Sequence, residues 1–447
     1  MLKKDNGQTI FPFDAESRHP AILIRNGRVI DPVNAIDENL TVAVQDGRIL
    51  SVGNEAPADF KPDTVIDAAG LWVVPGLVDL HVHLREPGRE DKETIKTGLQ
   101  AAAAGGFTAV ACMPNTNPVL DEESKIRYVV QRGEDCPCRV YPIGAITKNQ
   151  DGENIAPFGE MVRAGAKAFS DDGGSVYRSN IMRNALNYSK SFRVPIISHC
   201  EDPDLTDGGH MNESNMSTLL GLRGIPSISE EIIVARDIML AEYTEARLHV
   251  CHVSTAGSVQ LIRWAKRRGA QVTCETCPHY FVYTDEDLKT YDTYKKMNPP
   301  LRTPKDRDAV IAGIKDGAID IIVSDHAPHC AEEKDVEFNA AAFGVIGLET
   351  SLGVAITYLV KKEIISPSDL VTKMSVLPNR IFSTDGGTLS QNAVADITII
   401  DPDASWKVDP SFFYSKSRNC AFDGMELTGF ARWTILGGKV VYERTRM

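Results

Sequence analysis

Residues 76–84 read GLVDLHVHL, and residues 93–105, a short distance further on, read ETIKTGLQAAAAG. The first segment is almost continuously apolar, as expected of a strand that is buried on both faces, while the second has the composition of a helix. A buried strand followed by a helix is the repeating unit of a parallel sheet that is covered by helices. These two segments therefore predict an α/β fold.

The same alternation of strand and helix continues through the centre of the chain. The further strand-like segments are FTAVACM at 107–113, CRVYPIGAI at 138–146, AKAFS at 166–170, VPIISH at 194–199, ARLHVCHV at 246–253, AQVTCET at 270–276 and AIDIIVSDH at 318–326. Helical patterns lie between them. With the first segment they make eight strands, and eight such units favour a closed (β/α)8 TIM-like barrel over an open sheet.

Both ends of the chain have a different pattern. Short alternating segments separated by Asn-Gly and Asp-Gly turns fill residues 22–72, and similar segments return at 395–403 and 433–443. Such segments are typical of antiparallel strands and hairpins. We therefore expect residues 1–72 and 386–447 to form one small β-sandwich domain and residues 73–385 to form the catalytic barrel.

The composition of the chain excludes several classes of protein. Hydrophobic residues make up 43% of the 447 residues, enough for a sizeable core, and a net charge of −13 disfavours nucleic acid and anionic membranes as partners. We find no signal peptide and no apolar segment long enough to span a membrane. Nine cysteines, an odd number, favour reduced thiols. We expect a cytoplasmic protein that acts on a small molecule.

Histidines and one aspartate follow the predicted strands. His81 and His83 alternate, so both side chains point to the same side of one strand, while His199, His252 and Asp325 each end a later strand. The carboxyl ends of barrel strands are where active sites are built, and imidazole and carboxylate are suitable ligands for zinc. Each residue alone is more often an ordinary core residue, but the set of five predicts a metal-dependent hydrolase.

A site with two metals also needs an anionic side chain that bridges them. The segment AGAKAFSDDGG at 164–174 offers Asp172, which is already anionic, and Lys167, which would bridge only after carboxylation because an ammonium group is no metal ligand. Asp171 is a further alternative. We expect Asp172 to be the bridge, with a carboxylated Lys167 as the alternative.

In this order, the motifs resemble those of one family. They are HVHLREPG at 81–88, MPNTNP at 113–118, FSDDG at 169–173, HCED at 199–202, CHVS at 251–254, NPPLR at 298–302 and DHAPH at 325–329. From about residue 20 to residue 445, the chain resembles the bacterial class I dihydroorotases, metal-dependent hydrolases of the amidohydrolase superfamily.

The resemblance implies a set of site residues. The metal ligands, for two Zn²⁺ ions per subunit, would be His81, His83, Asp172, His199, His252 and Asp325. The substrate contacts would be His83, Arg85, Asn115, Asn298, His329, Phe343 and Gly344. Asp325 would also be the catalytic residue, which acts first as a base and then as an acid.

The resemblance also implies the reaction, the reversible cyclisation of N-carbamoyl-L-aspartate to (S)-dihydroorotate in pyrimidine (UMP) biosynthesis, with metal-bound hydroxide as the attacking group in the hydrolytic direction. The free carboxylate of dihydroorotate would be held by the fork of Arg85, with help from Asn115 and His329. The quaternary structure expected is a homodimer, and association with an aspartate transcarbamoylase is a further expectation.

Two other functions stay open from the sequence. One is a hydantoinase, dihydropyrimidinase or allantoinase, which would use the same metals on another cyclic amide. The other is a non-catalytic dihydroorotase-like scaffold for aspartate transcarbamoylase, although all six metal ligands are present here. Residues 330–344, rich in charged and small side chains, are expected to form a lid over the substrate.

Overall fold

The structure is a computed structural model in which residues 1–445 are described. The N-terminal strands are β1 (Leu2–Lys3), β2 (Gln8–Ile10), β3 (Ile22–Asp31), β4 (Ile36–Gln45), β5 (Arg48–Gly53), β6 (Thr64–Asp67) and β7 (Trp72–Pro75). The central strands are β8 (Leu77–Val82), β9 (Phe107–Cys112), β10 (Arg139–Gly144), β11 (Ala168–Ser170), β12 (Ile196–Ser198), β13 (Met211–Asn212), β14 (Gly224–Ile225), β15 (Leu248–Val250), β16 (Val272–Thr276) and β17 (Ile321–Ile322). The C-terminal strands are β18 (Ile397–Lys407), β19 (Glu426–Leu436) and β20 (Lys439–Arg444).

The helices lie mainly between the central strands. They are α1 (Ile95–Ala104), α2 (Glu123–Gly133), α3 (Phe158–Ala164), α4 (Ser179–Lys190), α5 (Pro203–Thr206), α6 (Asn215–Leu220), α7 (Ile228–Thr244), α8 (Ala256–Arg267), α9 (Pro278–Val282), α10 (Pro304–Asp316), α11 (Ala331–Lys334), α12 (Ser351–Ala355), α13 (Pro367–Val371) and α14 (Leu377–Phe382).

The predicted barrel is confirmed. Among the described residues, eight parallel strands form one sheet in the order β17, β16, β15, β12, β11, β10, β9, β8. The remaining central strands, β13 and β14, pair only with each other. The barrel strands are almost wholly buried, as their apolar sequences require.

The first helix of the barrel shows how the sequence sets its limits. Thr94 caps the N-terminus in a capping box with Thr97, which satisfies backbone N–H groups that have no partner inside the helix. The helix ends at Gly105, where a Cβ atom would collide with the carbonyl oxygen of Leu348. The apolar face of α1 is buried between these two residues.

The predicted pairing of the two chain ends is also confirmed. The N-terminal and C-terminal strands form one sheet in the order β1, β2, β20, β19, β18, β7, β3, β4, β5, with β6 beside β3. A separate hydrophobic cluster, which includes Ile24, Val42 and Ile399, supports this sheet. The exact domain limits at residues 72/73 and 385/386 stay a prediction.

The first and last strands of the barrel, β8 and β17, are joined by a few local contacts. The N–H of His83 donates to the carbonyl of His326 at 2.8 Å. One carboxylate oxygen of Asp79 accepts from the N–H of His81 at 3.0 Å, and the other accepts from the N–H of Ser324 at 2.9 Å. Asp79 therefore holds together the two strands that carry several of the predicted ligands.

None of the helices in residues 1–445 combines the length and the hydropathy that crossing a bilayer would require.

Candidate active site

The residues predicted as metal ligands lie together at the carboxyl end of the barrel, each no more than 6% exposed. They are His81 and His83 at the end of β8, Asp172 after β11, His199 after β12, His252 after β15 and Asp325 after β17. They border a cavity of about 250 Å³, and the predicted substrate contacts Arg85, Asn115, Asn298, His329, Phe343 and Gly344 line the same cavity. The structure thus brings the whole predicted set to one place.

Asp172 lies at the centre of the cluster. Its Oδ1 is 3.5 Å from His81 Nε2, from His199 Nδ1 and from His252 Nε2, while its Oδ2 is 3.5 Å from His83 Nε2. The two carboxylate oxygens therefore face different imidazoles, as required of a carboxylate that bridges two cations. Asp325 Oδ1 is 3.3 Å from His83 Nε2 and 3.5 Å from His81 Nε2.

Two atoms of this cluster are buried without a hydrogen bond. Within the described residues, His81 Nε2 and Asp172 Oδ1 have no hydrogen-bond partner although they lie 3.5 Å apart. Nearly all buried polar atoms are hydrogen-bonded, and an exception calls for an explanation. Imidazole nitrogens and carboxylate oxygens that face one another at this separation fit a shared divalent cation. The side chains therefore suit the metal that the sequence predicts.

Hydrogen bonds on the outer sides of the imidazoles orient their free nitrogens inward. His81 Nδ1 lies 2.5 Å from Glu275, and His83 Nδ1 lies 2.8 Å from Asn115 Oδ1. His199 Nε2 lies 2.9 Å from Glu201. Because each of these oxygens accepts a proton from the ring, the other nitrogen is left with a lone pair that faces the cluster.

The electrostatics also favour a cation. Burial lowers the pKa of His81, but the carboxylates of Asp172, Glu275 and Asp325 outweigh it and raise that pKa well above its usual value. Burial raises the pKa of Asp172, yet the neighbouring imidazoles, that of His81 foremost, keep it well below the usual range. The carboxylates thus remain ionised in a buried site, which requires positive charge beside them.

The wall of the cavity above the cluster carries the opposite charge. Arg85 Nε donates to the carbonyl of Pro328 at 3.1 Å, and the Arg85 guanidinium lies 3.4 Å from His329 Nε2. Burial lowers the pKa of Arg85 to about 10, so the group is still charged at neutral pH. Burial, with the positive charges of Arg85 and Lys92, lowers the pKa of His329 to about 3, so this imidazole is neutral.

Residues 330–344, predicted as a lid, are held by a buried lysine. Lys334 is completely buried, and its ammonium donates to the carbonyls of Lys296, Ala342 and Gly344 at 3.2, 2.8 and 3.0 Å. His329 Nε2 lies 2.8 Å from the carbonyl of Phe343. These contacts place the backbone of residues 342–344 at the cavity. The movement expected of a lid stays a prediction.

Three residues of the site have a left-handed backbone. The φ angles are 60° at Arg85, 29° at His252 and 47° at Asp325. A residue with a side chain adopts this region at a cost of about 1–3 kcal/mol, and such residues cluster at active sites. The surrounding barrel therefore imposes a conformation that aims these side chains into the cavity.

The alternatives for the bridging residue lie elsewhere. Lys167 borders a different cavity, together with Gly76 and Arg139, and its ammonium lies 5.6 Å from the centre of the Tyr141 ring. The structure therefore does not bring Lys167 to the bridging position. Asp171 also turns away, since its carboxylate accepts from the N–H groups of residues 146 and 147 at 2.8 and 3.0 Å.

Several buried carboxylates at the site escaped the sequence reasoning. Glu275 is completely buried and contacts both His81 and His249. Glu201 accepts from His199 and, at 3.0 Å, from the side-chain amide of Asn298, so one carboxylate contacts a predicted metal ligand and a predicted substrate contact. The signal available was an acidic residue inside an apolar strand for Glu275, and one two positions after a ligand for Glu201.

A barrel with such a cluster at its carboxyl end is typical of the amidohydrolase class. The family model "Dihydro-orotase-like" matches residues 70–258. The dihydroorotase of Acetivibrio thermocellus is 55% identical over 84% of this chain and 89% of its own, and that of Pelobacter propionicus is 52% identical over 88% and 92%. The chain belongs to the dihydroorotase family.

Solved structures share the fold. The L-hydantoinase (dihydropyrimidinase) from Arthrobacter aurescens superposes with a TM-score of 0.87 at 26% identity and covers 96% of this chain and 97% of its own. The dihydropyrimidinase from Brevibacillus agri NCHU1002 gives a TM-score of 0.83 at 22% identity, with 96% of each chain covered. These likenesses confirm a barrel with an accessory sheet.

Proposed function

We propose that the chain is a dihydroorotase, which catalyses the reversible cyclisation of N-carbamoyl-L-aspartate to (S)-dihydroorotate in pyrimidine biosynthesis. The observation that carries this proposal is one cavity with a cluster of metal ligands on its floor and a charged guanidinium, that of Arg85, on its wall. Dihydroorotate has a cyclic amide for the first and a free carboxylate for the second. Relatives that are named dihydroorotase support the assignment at 52–55% identity.

The cofactor proposed is a pair of Zn²⁺ ions. They would be held by His81, His83, Asp172, His199, His252 and Asp325, with Asp172 between them. When bound, such ions lower the pKa of water to near neutrality and polarise a carbonyl group. Metal analysis of the purified protein tests both the identity of the ion and the number bound.

Asp325 is the proposed general base and acid. Its pKa is lowered, since the imidazoles of His81 and His83 outweigh the effect of burial, and it is therefore ionised at neutral pH. In ring opening it takes the proton of the attacking water. It then gives that proton to the ring nitrogen as the C–N bond breaks. In cyclisation the same carboxylate removes a proton from the carbamoyl nitrogen.

The wall of the cavity orients the substrate. Arg85 would hold the free carboxylate through a bidentate fork, with Asn115 and His329 beside it. The amide of Asn298 is held by Glu201, so that its carbonyl oxygen is free to accept from the substrate. The backbone at Phe343 and Gly344 would contact the ring. His83 would contact both metal and substrate.

A hydantoinase is the second candidate function, because the Arthrobacter aurescens L-hydantoinase has the same fold. The decisive experiment assays the metal-loaded protein in parallel on dihydroorotate, hydantoin and allantoin. We expect turnover of dihydroorotate to exceed that of the other two. Turnover of hydantoin or allantoin alone would contradict the proposal, and no turnover of any of them would favour a non-catalytic scaffold.

The proposed setting is the cytoplasm, where the chain acts as a homodimer. Association with an aspartate transcarbamoylase is also proposed, and the same assay measures whether that partner is needed. We expect activity from the chain alone, because the described residues already provide the whole predicted set of ligands and substrate contacts. Activity that appears only on addition of the transcarbamoylase would contradict this expectation.

A further inference from the structure

An apolar patch covers part of the outer wall of the barrel. Sixteen large hydrophobic side chains are exposed in residues 1–445, and six of them lie on the neighbouring helices α4, α7 and α8. Five form the patch defined here on α7 and α8: Ile228, Ile232, Met239, Tyr243 and Trp264. Met239 is 66% exposed, Tyr243 78% and Trp264 57%. Side chains of this size are rarely left in water together.

The residues of the patch are contiguous. Ile228, Ile232, Met239 and Tyr243 follow one another along one face of α7 at helical spacing. Trp264 of α8 lies beside the end of this stripe, because Arg268 contacts both elements: it stacks 3.2 Å from the centre of the Trp264 ring and pairs with Glu242 of α7 at 2.5 Å. The five side chains therefore form one surface.

Helix α7 is apolar on two opposite sides. Its inner face, which includes Ile233, Val234 and Ile238, is buried against the barrel, yet the outer face is also apolar. A helix that is hydrophobic all round is usually buried on all sides. The outer face therefore lacks a partner that the sequence is adapted to meet.

We propose that this patch joins two copies of the chain in a two-fold dimer. Since a large side chain presents roughly 150–250 Å² when fully exposed, the measured exposures leave on the order of 600 Å² per copy. Two copies would bury about 1,200 Å² from these side chains alone, which reaches the size of a stable interface before the flanking residues are counted. Tyrosine, tryptophan and methionine are also the residues enriched in interfaces.

The charges beside the patch suit a second copy. Glu231 lies in the first turn of α7, while Arg268 lies beyond the end of α8, next to the end of α7. A two-fold axis across α7 sets the helix antiparallel to its copy. The acidic end of one helix then meets the basic end of the other. Because the patch is on the outer wall, the cavity at the carboxyl end of each barrel stays open.

The test is the association state of the full chain, measured by analytical ultracentrifugation over a wide range of concentration. The patch variant carries Met239→Glu and Tyr243→Glu, and the control carries Val65→Glu, a residue of the small sheet that is 50% exposed. We expect a dimer for the wild type and the control. The patch variant should dissociate with a constant at least about 100-fold higher. It should keep its unfolding temperature and its activity, since neither residue lines the cavity.

Hydrogen exchange provides the second measurement and does not depend on a substitution. Concentrated wild-type protein should show extra protection in α7 and α8 compared with dilute protein. A monomeric wild type, a patch variant that still dimerises or protection confined to other helices would overturn the proposal. So would a wild type whose patch is covered only when aspartate transcarbamoylase is added.

Discussion

The floor and the wall of the cavity differ in how their polar groups are satisfied. On the floor, His81 Nε2 and Asp172 Oδ1 face each other without a hydrogen bond. On the wall, the groups already have partners within the chain, as when Arg85 donates to Pro328 and Lys92 lies 2.8 Å from Glu333. The floor is therefore complete only with cations, whereas the wall is oriented in advance for an anion. Substitutions in the two regions should fail in different ways.

The largest effect is expected on the floor, from Asp325→Asn. An amide of the same size cannot accept and return a proton, so turnover of dihydroorotate should fall by about 10⁴-fold or more. Steady-state kinetics measures this, with metal content and unfolding temperature determined on the same sample. Turnover within about 10-fold of the wild type would contradict the role of Asp325.

On the wall, Arg85→Met should lower kcat/KM for dihydroorotate by about 10²–10³-fold, because a buried carboxylate would lose its charged partner. Arg85→Lys should recover part of this loss, since it restores the charge without the fork. The matched control is Arg89→Met, an arginine that is 44% exposed and does not line the cavity. If the Arg85 variants lost metal instead of substrate affinity, the separation of floor and wall would fail.

Glu201 connects the two regions, because it contacts both His199 and Asn298. Glu201→Ala should weaken metal binding by about 10–100-fold, as is usual when the partner of a ligating histidine is removed. It should also raise KM through Asn298. Glu201→Gln keeps an acceptor oxygen and should retain most of both properties. Metal titration separates the two effects, and unchanged metal affinity in the alanine variant would contradict the link.

The smallest effect concerns Lys334, which supports the wall. Burial lowers the pKa of this lysine to about 7, so above that pH the unfolded chain binds more protons than the folded one, and stability rises with pH. In Lys334→Met, this rise between about pH 7 and pH 10 should be smaller by about 1–2 kcal/mol. Urea unfolding at several pH values measures it, with the exposed Lys305→Met as control. An unchanged slope would mean that Lys334 is not buried as an ammonium.

The sequence was sufficient for the barrel and for the location of the ligands, for a physical reason. Apolar strands have a clear period, and a polar residue at the end of such a strand can lie only at one end of the barrel. The same reasoning, carried further, would have excluded Lys167: it precedes β11 by one residue, and a strand rises about 3.3 Å per residue, so its side chain belongs to the opposite end.

The supporting residues were beyond reach of the sequence. Glu275 and Glu201 act through contacts with residues 194 and 2 positions away, and only the shorter of these separations leaves a pattern in the sequence. Lys334 is buried among backbone carbonyls, a setting that depends on how residues 330–344 fold back on themselves. Such contacts follow from the tertiary structure and have no local period.

The junction between β8 and β17 gives the barrel a seam, closed by Asp79 and by the contact between His83 and His326. His81 lies on one side of this seam and Asp325 on the other. An ion held by both would act as a rivet, and the free energy of its binding would be stored as resistance of the barrel to opening. Chelation should therefore accelerate hydrogen exchange first along this seam, so that the enzyme's cofactor is also a structural fastener.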